Sequence, residues 1–247
     1  HEFFIQMGGA EKVLEAFHEL FPEAPVYTLF YDRGRTGGRF DGWDIRPSFL
    51  QKIPGALRHY KWCLPFMPRA IEGFDLSGYD LILSDSSAFA MGVIKPRNAI
   101  HICYCHTPTR YIWESRDEYL SKLPYPQIVR RLAGKFIEKF QAPWDLEASQ
   151  RPDFFVANSR TVRDRIKKYY NRDSEIIYPP VDTVFFRPHP SPSPDLGEGG
   201  GEVYFLTGSR LEPYKKIDLV VEAFDRLGLN LKIVGTGTRL PELRMKN

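Results

Sequence analysis

A short basic loop between two predicted elements carries the strongest chemical signal in this chain. Arg210 and Lys215 follow Gly208, at the end of the apolar run 203–207, which has the composition of a buried strand. The segment 217–227 comes next and has apolar residues at helical spacing. Ligands of open α/β sheets bind at the carboxyl ends of strands, and the amino end of a helix favours anions. An Arg and a Lys in this loop therefore predict binding of a phosphate or diphosphate.

Other residues that could contact a ligand also lie directly before or after predicted strands and helices. Gly8 and Gly9 open a predicted helix, where glycine lets the backbone approach an anion closely. His106 directly follows a predicted strand, and Gly235 and Gly237 follow another. Each signal has an ordinary structural alternative, because glycine pairs occur in common turns and a lone histidine often serves only local hydrogen bonding.

Five segments follow one another in the order found in glycosyltransferase family 4, an enzyme family of the GT-B fold. They are the glycine loop 8–14, the histidine segment 104–113, the segments 155–159 and 178–182, and the basic loop 208–216. Each segment alone is a moderate match, but together they span almost the whole chain, which therefore resembles this family. The resemblance implies a retaining transferase without a metal cofactor, with a nucleotide-diphosphate sugar as the donor substrate.

The resemblance also implies roles for individual residues. In the family, a histidine in the segment that contains His106 contacts the donor sugar and supports the positive charge that develops at the anomeric carbon, so His106 is the candidate catalytic residue. The candidates for donor and phosphate binding are Gly8, Gly9, Arg210, Lys215, Gly235 and Gly237. The segment around His106 most resembles mannosyltransferases of cell-surface polysaccharide synthesis. GDP-mannose is thus the first donor to test, and a glycan or lipid-linked molecule is the expected acceptor.

The alternation of strand and helix patterns predicts an α/β fold with a doubly wound, Rossmann-like parallel sheet. The predicted strands of the larger part are 26–31, 81–84, 99–104, 153–157 and 175–178. A helix should begin at the glycine pair, carry an apolar stripe as far as Phe21, and end at Pro22. The residues 84–87 are expected to form a serine-rich turn.

The chain divides into three predicted parts. Residues 1–183 form an acceptor-side Rossmann-like domain, and 203–247 form the first part of a donor-binding domain. The residues 184–202 read as a flexible linker or insertion, because a Pro-Ser alternation followed by a Gly-rich run cannot build a packed core. The family's second domain carries an acidic motif that would lie beyond Asn247. We therefore expect a fragment that lacks its first strand and most of its second domain, and that is inactive alone.

The bulk composition restricts the class of partner. The sequence is 43% hydrophobic and 26% charged with a net charge of +3, which is too small to predict nucleic acid as the main ligand. Its three cysteines do not make a disulfide framework, which favours a cytoplasmic protein. His101, Cys103 and Cys105 would share one face of a strand, but no second cluster completes a metal site.

Other functions remain open on the sequence alone. One alternative is a non-catalytic nucleotide-binding fragment, and another is a metal-binding protein centred on residues 101–106. A nicotinamide-dependent oxidoreductase would require a Gly-x-Gly-x-x-Gly turn, which the residues around Gly8 and Gly9 do not have.

A separate stretch indicates contact with a membrane. Between Asp44 and Glu72 the sequence has no acidic residue, while basic residues alternate with aromatic and aliphatic ones. The basic members are Arg46, Lys52, Arg58, Lys61 and Arg69. This combination is typical of a membrane interface, and a lipid-linked acceptor would lie there. We therefore expect peripheral contact with the anionic inner face of the membrane. The alternative is that the apolar residues of this stretch pack in the core and its basic residues form a solvated edge.

Overall fold

A computed structural model describes residues 1–121, 125–184, 204–211, 215–237 and 240–244. The strands are β1 (Phe3–Phe4), β2 (Val26–Thr28), β3 (Phe30–Tyr31), β4 (Ile45–Pro47), β5 (Leu81–Ser86), β6 (Ile100–Cys105), β7 (Phe154–Ala157), β8 (Glu175–Ile176), β9 (Phe205–Gly208) and β10 (Leu231–Val234). The α-helices are α1 (Gly9–Leu20), α2 (Met67–Glu72), α3 (Arg110–Trp113), α4 (Arg116–Ser121), α5 (Gln127–Phe136), α6 (Ala142–Ala148), α7 (Arg160–Tyr170), α8 (Ile217–Leu227) and α9 (Leu240–Arg244). The chain forms two compact units, His1–Asp182 and Thr183–Asn247.

A parallel sheet of four strands forms the centre of the first unit. Its strand order is β5-β6-β7-β8, and Ser86 lies opposite Cys105 where β5 and β6 end. Helical segments connect successive strands, as α7 connects β7 to β8. This arrangement confirms the predicted α/β fold with a Rossmann-like parallel sheet.

The predicted strand 26–31 is two strands. β2 pairs with β4, and β3 pairs with β1, both in parallel. The chain changes partner at Leu29, whose N–H donates to the carbonyl of Glu2 at 2.9 Å. The prediction of one continuous strand was therefore wrong, because the apolar pattern continues across a change of partner.

Helix α1 begins after Gly8 and ends at Leu20, close to the predicted bounds. Val13 and Leu14 are buried, but Leu20 and Phe21 are 71% and 43% exposed. The apolar stripe therefore continues past the part of the helix that packs on the domain.

The predicted turn at residues 84–87 is for the most part strand. Ser84, Asp85 and Ser86 are the last three residues of β5, and all three are buried. They pair in register with residues of β6, Asp85 opposite Tyr104. Polar side chains are tolerated here because hydrogen bonds at the carboxyl end of the sheet satisfy them. This correction matters because it puts a buried carboxylate next to the strand that leads into His106.

The second unit contains one strand–helix–strand arrangement. β9 and β10 are parallel, with Phe205 opposite Leu231, and α8 connects them. Leu211, Ile217 and Val221 form its buried apolar cluster. The residues 185–203, which include nearly all of the predicted linker, lie outside the described part. Among the described helices, none combines the length and apolarity that crossing a bilayer requires.

Candidate functional site

Two histidines share one buried carboxylate at the carboxyl end of the main sheet. His106, the first residue after β6, has its Nε2 atom 2.5 Å from Oδ1 of Asp85. His1 has its Nδ1 atom 2.7 Å from Oδ2 of the same residue. The Asp85 side chain is 1% exposed, and that of His106 is 14% exposed. The carboxylate therefore holds both imidazole rings in fixed orientations, and His106 keeps some access to solvent.

Charge is concentrated in this cluster. Burial disfavours the charged form of His1, but its hydrogen bonds to Asp85 and Glu11 and the nearby carboxylate charges raise its pKa to about 10. Burial also opposes the ionised form of Asp85, yet its two histidine partners hold the pKa of that carboxyl below its usual value. At neutral pH, His1 is therefore an imidazolium and Asp85 a carboxylate.

Glu2 anchors the chain beside this cluster. Its Oε1 atom accepts hydrogen bonds at 2.9–3.0 Å from the hydroxyl of Ser86 and from the four successive backbone N–H groups of residues 87–90. The side chain is buried, and the loop after β5 folds around it. A ring of N–H groups of this kind binds anions. Here the protein's own carboxylate occupies that ring, so it is not available to a phosphate.

The predicted glycine pair lies next to the cluster. Gly8 has an extended backbone, which any residue can adopt, and a Cβ atom on Gly9 would meet no atom within 4 Å. Internal packing therefore does not explain glycine at position 9. In the first turn of α1, the carboxylate of Glu11 lies 3.8 Å from Nε2 of His1. The start of α1 is thus linked through His1 and Asp85 to His106.

Asp145 on α6 fixes the segment that follows His106. Its carboxylate accepts hydrogen bonds from the Thr109 hydroxyl at 2.5 Å, the Trp113 indole at 2.7 Å and the Tyr170 hydroxyl at 2.9 Å. Burial raises the pKa of Asp145 to about 6, although the three donors favour its charged form. These bonds connect α3, α6 and α7, so the threonine and tryptophan of this segment have a structural explanation.

His101, Cys103 and Cys105, the residues considered for a metal site, are all buried. His101 is bonded through Nε2 to the Ser84 hydroxyl at 2.8 Å, and burial lowers its pKa to about 4. Cys103 and Cys105 are buried, and burial raises the pKa of both thiols. Within the described part of the chain, no three or more His, Cys, Asp or Glu side chains are grouped to hold a metal ion.

In the second unit, the basic loop lies between β9 and α8. Arg210 comes two residues after the end of β9, and Lys215 comes two residues before α8. Lys216 caps α8 in a left-handed conformation with φ of 53°. Glycine adopts that conformation most easily, so glycine would be favoured at this position.

Gly235 and Gly237 pack against the same loop. A Cβ atom on Gly235 would collide with the carbonyl of Ser209, and one on Gly237 with the backbone of Leu211. The N–H of Leu211 donates to the carbonyl of Thr236 at 2.8 Å. Close approach of two loops therefore requires both glycines. Their predicted contact with the nucleotide stays a prediction.

The comparison with protein families decides the class of this chain. Residues 7–185 match the model of Glycosyltransferase Family 4, which covers most of the sequence. The chain belongs to glycosyltransferase family 4. A comparison with curated proteins found no match. The matched region of this glycosyltransferase contains Gly8, Gly9, Asp85 and His106, and it ends before Arg210.

Sequence reasoning about this glycosyltransferase missed Asp85, the hydrogen-bond partner of His106, and the residues around it. The predicted turn 84–87 contains Asp85, and no role is predicted for His1, Glu2 or Glu11. The available signal was an acidic residue in the strand before the one that leads into His106, at the carboxyl ends where ligands bind. The structure brings these four residues together with His106, and in the second unit it packs Ser209 and Leu211, the neighbours of Arg210 in sequence, against Gly235 and Gly237.

An apolar cavity of about 280 Å³ lies between α1, β2 and β5 of the glycosyltransferase. Four successive residues of β5, Leu81–Ser84, line it, so it follows one edge of the strand rather than one face. β5 pairs with β6 on its other edge. The lining is mostly apolar, which suits neither a diphosphate nor a sugar, and we do not assign the donor to this cavity.

Proposed function

We propose that the natural enzyme transfers a sugar from a nucleotide-diphosphate sugar to a glycan or lipid-linked acceptor, with retention of configuration and without a metal ion. The observation that carries the proposal is the hydrogen bond between His106 and the buried Asp85, in a domain of glycosyltransferase family 4. Such a pair holds one ring at the end of the sheet where ligands of α/β domains bind.

The role of His106 follows from the atoms that its ring presents. With Nε2 donating to Asp85, a neutral ring presents the lone pair of Nδ1, which makes no hydrogen bond within the described residues. This atom can accept a hydrogen bond from a hydroxyl of the donor sugar. The negative charge of Asp85 also favours positive charge nearby, including that which develops at the anomeric carbon when the bond to the diphosphate breaks.

Arg210 and Lys215 are proposed to bind the diphosphate. When the bond between the anomeric carbon and the diphosphate oxygen breaks, negative charge grows on the leaving group, while the acceptor hydroxyl oxygen bonds to the carbon and passes its proton to the departing diphosphate. Two cations in the loop that connects β9 to α8 would stabilise that charge without a metal. Gly235 and Gly237 support this loop through their contacts with Ser209 and Leu211.

GDP-mannose is the proposed donor, and cell-surface polysaccharide synthesis is the proposed pathway class, because of the resemblance around His106. We propose that the enzyme acts in the cytoplasm at the inner face of the membrane. In support, Cys63, Cys103 and Cys105 are all free thiols, as expected of a reducing compartment. A lipid-linked acceptor would be reached from that surface.

The test measures donor affinity and transfer rate in the natural enzyme. Arg210→Ala and Lys215→Ala should each weaken binding by about 1.5–3 kcal/mol, roughly ten- to hundredfold, because a charge-assisted contact is lost. Arg210→Lys should recover only part, since the planar fork of the guanidinium is missing. His106→Ala should lower the transfer rate more than the binding of free GDP, because the proposed contact is to the sugar.

Arg226→Ala is the matched control, because Arg226 lies on α8 and pairs with Glu222 at an exposed site. It should bind the donor like the wild type. If Arg210→Ala and Lys215→Ala also bind like the wild type, the diphosphate assignment is wrong. If no nucleotide-diphosphate sugar in a panel that includes GDP-mannose supports transfer, the proposed donor class is wrong.

A further inference from the structure

Two exposed apolar segments of the first unit lie side by side. In the 3-10 helix Tyr60–Phe66, Trp62 is 70% exposed and Phe66 is 58% exposed. In α5 and the π-helical turn Ile137–Gln141 that continues it, the exposed apolar residues are Ile128, Val129, Leu132 and Phe140. Large apolar side chains in such number on one protein surface usually mark an interaction site.

Contacts at both ends join the two segments. The rings of Trp62 and Tyr125, just before α5, are 6.2 Å apart and meet edge to face. At the other end, the Gln141 side chain donates to the carbonyl of Leu64 at 3.3 Å. The exposed side chains therefore belong to one continuous surface, which we call the basic-apolar surface.

The exposed face of α5 mixes two kinds of residue. Ile128 and Leu132 are one turn apart, at 70% and 61% exposed, and Arg131 and Lys135 lie on the same side at helical spacing. The buried residues of the helical segment, Ile137 and Gln141, turn towards the domain. A helix that exposes apolar residues between cations is the pattern of a helix lying in a membrane interface.

The charge of this surface has one sign over long stretches. The sequence has no acidic residue between Asp44 and Glu72, and none between Glu118 and Glu138. Exposed cations in these stretches are Lys52, Arg58, Lys61, Arg69, Arg131 and Lys135, and the π-helical turn adds one exposed acid, Glu138, next to the exposed Lys139. A protein partner of matching shape would need an acidic and apolar face. An anionic bilayer supplies both properties over an extended area.

We propose that the basic-apolar surface, formed by Tyr60–Phe66 together with α5 and its π-helical turn, docks the enzyme on anionic lipid. Trp62, Ile128 and Leu132 enter the interface, while Arg131 and Lys135 contact the headgroups. The proposal deepens the peripheral membrane contact proposed above by adding a second segment that the sequence did not indicate. It does not depend on the donor or the acceptor.

The test is co-sedimentation of the full chain with vesicles of phosphatidylcholine, with and without phosphatidylglycerol. The wild type should bind only vesicles that contain phosphatidylglycerol, and added salt should weaken binding. Each cation at the surface contributes about fivefold to the partition constant, so Arg131→Glu/Lys135→Glu should bind at least ~25-fold more weakly. Ile128→Gln/Leu132→Gln should also bind more weakly. Both side chains are mostly exposed, so the fold should survive.

Arg160→Glu/Lys168→Glu is the charge-matched control, because it makes the same change in net charge on exposed residues of α7. It should bind like the wild type. Equal weakening by this control would show that net charge alone drives binding, and the proposal would fail. It would also fail if the wild type binds no anionic vesicle, or if it self-associates in solution through Leu132 without binding lipid. Because the assay needs no sugar transfer, its failure is separate from failure of the proposed activity.

Discussion

Replacing Asp85 with asparagine should destabilise the first unit strongly. Asparagine keeps the shape of the side chain but removes the charge that pairs with His1 and His106. One of its two terminal atoms becomes a donor, so it cannot accept from both rings. Removing one member of a buried pair leaves the other without compensation, which typically costs about 3–5 kcal/mol.

The pKa of His1 gives a second route to the same magnitude. Its pKa of about 10, against 6.5 in the unfolded chain, means that the folded state holds this proton much more tightly. The resulting stabilisation is complete below pH 6.5 and is lost as the pH rises through about 10. At pH 7 it is on the order of 4 kcal/mol, and Asp85 supplies the leading favourable contact.

The assay is urea unfolding of the 247-residue chain at several pH values between neutral and pH 10. Asp85→Asn should lower the free energy of unfolding by about 3–5 kcal/mol at neutral pH. Its stability should then fall much less than that of the wild type as the pH rises. Asp164→Asn is the control, because Asp164 pairs with its neighbour Arg163 at an exposed site and should change stability by less than about 1 kcal/mol. A loss below about 1 kcal/mol in Asp85→Asn, with an unchanged dependence on pH, would refute this account of the cluster.

Three further results are expected. Because burial lowers the pKa of His101 to about 4, its neutral ring stabilises the fold above pH 6.5, and this stability is lost as the pH falls towards 4. In urea unfolding at neutral and at mildly acid pH, His101→Asn should lose less stability on acidification than the wild type does. Gly235→Ala should speed hydrogen exchange in β10 without affecting the first unit, because the new Cβ collides with Ser209. Tyr170→Phe should lower the stability by about 1.5–3 kcal/mol, since a hydrogen bond to the buried Asp145 is lost. Thermal melting measures this loss, and Tyr169→Phe should have little effect in the same assay.

The sequence predicts the parallel sheet well because its strands are buried and apolar. β6 and β7 lie within one residue of the predicted bounds. The prediction failed where polar residues continue a strand, as Asp85 and Ser86 do in β5. Composition predicts a turn at such residues, but pairing with β6 satisfies their backbone and neighbouring side chains satisfy their polar atoms.

The candidate site was only half visible in the sequence. His106 could be found because it follows a strand, and the resemblance supported it. Its partner Asp85 is 21 residues away, and His1, which bonds to the other oxygen of that carboxylate, is 105 residues away, so no local pattern connects them. The exposed face of α5 was missed for another reason. Apolar residues at helical spacing predict a buried stripe, and only the structure shows which side faces the domain.

The carboxylate of Glu2 has a consequence for how the first unit folds. Its hydrogen bonds join residues 84 to 88 positions apart in the sequence, whereas β5 and β6 pair residues about 19 positions apart. Closing the longer loop costs more chain entropy, and the Glu2 carboxylate has no N–H groups to bond until the loop after β5 has formed. We therefore expect the main sheet to assemble first and the Glu2 anchor to form late. Changes at Glu2 should then accelerate unfolding while leaving the folding rate almost unchanged.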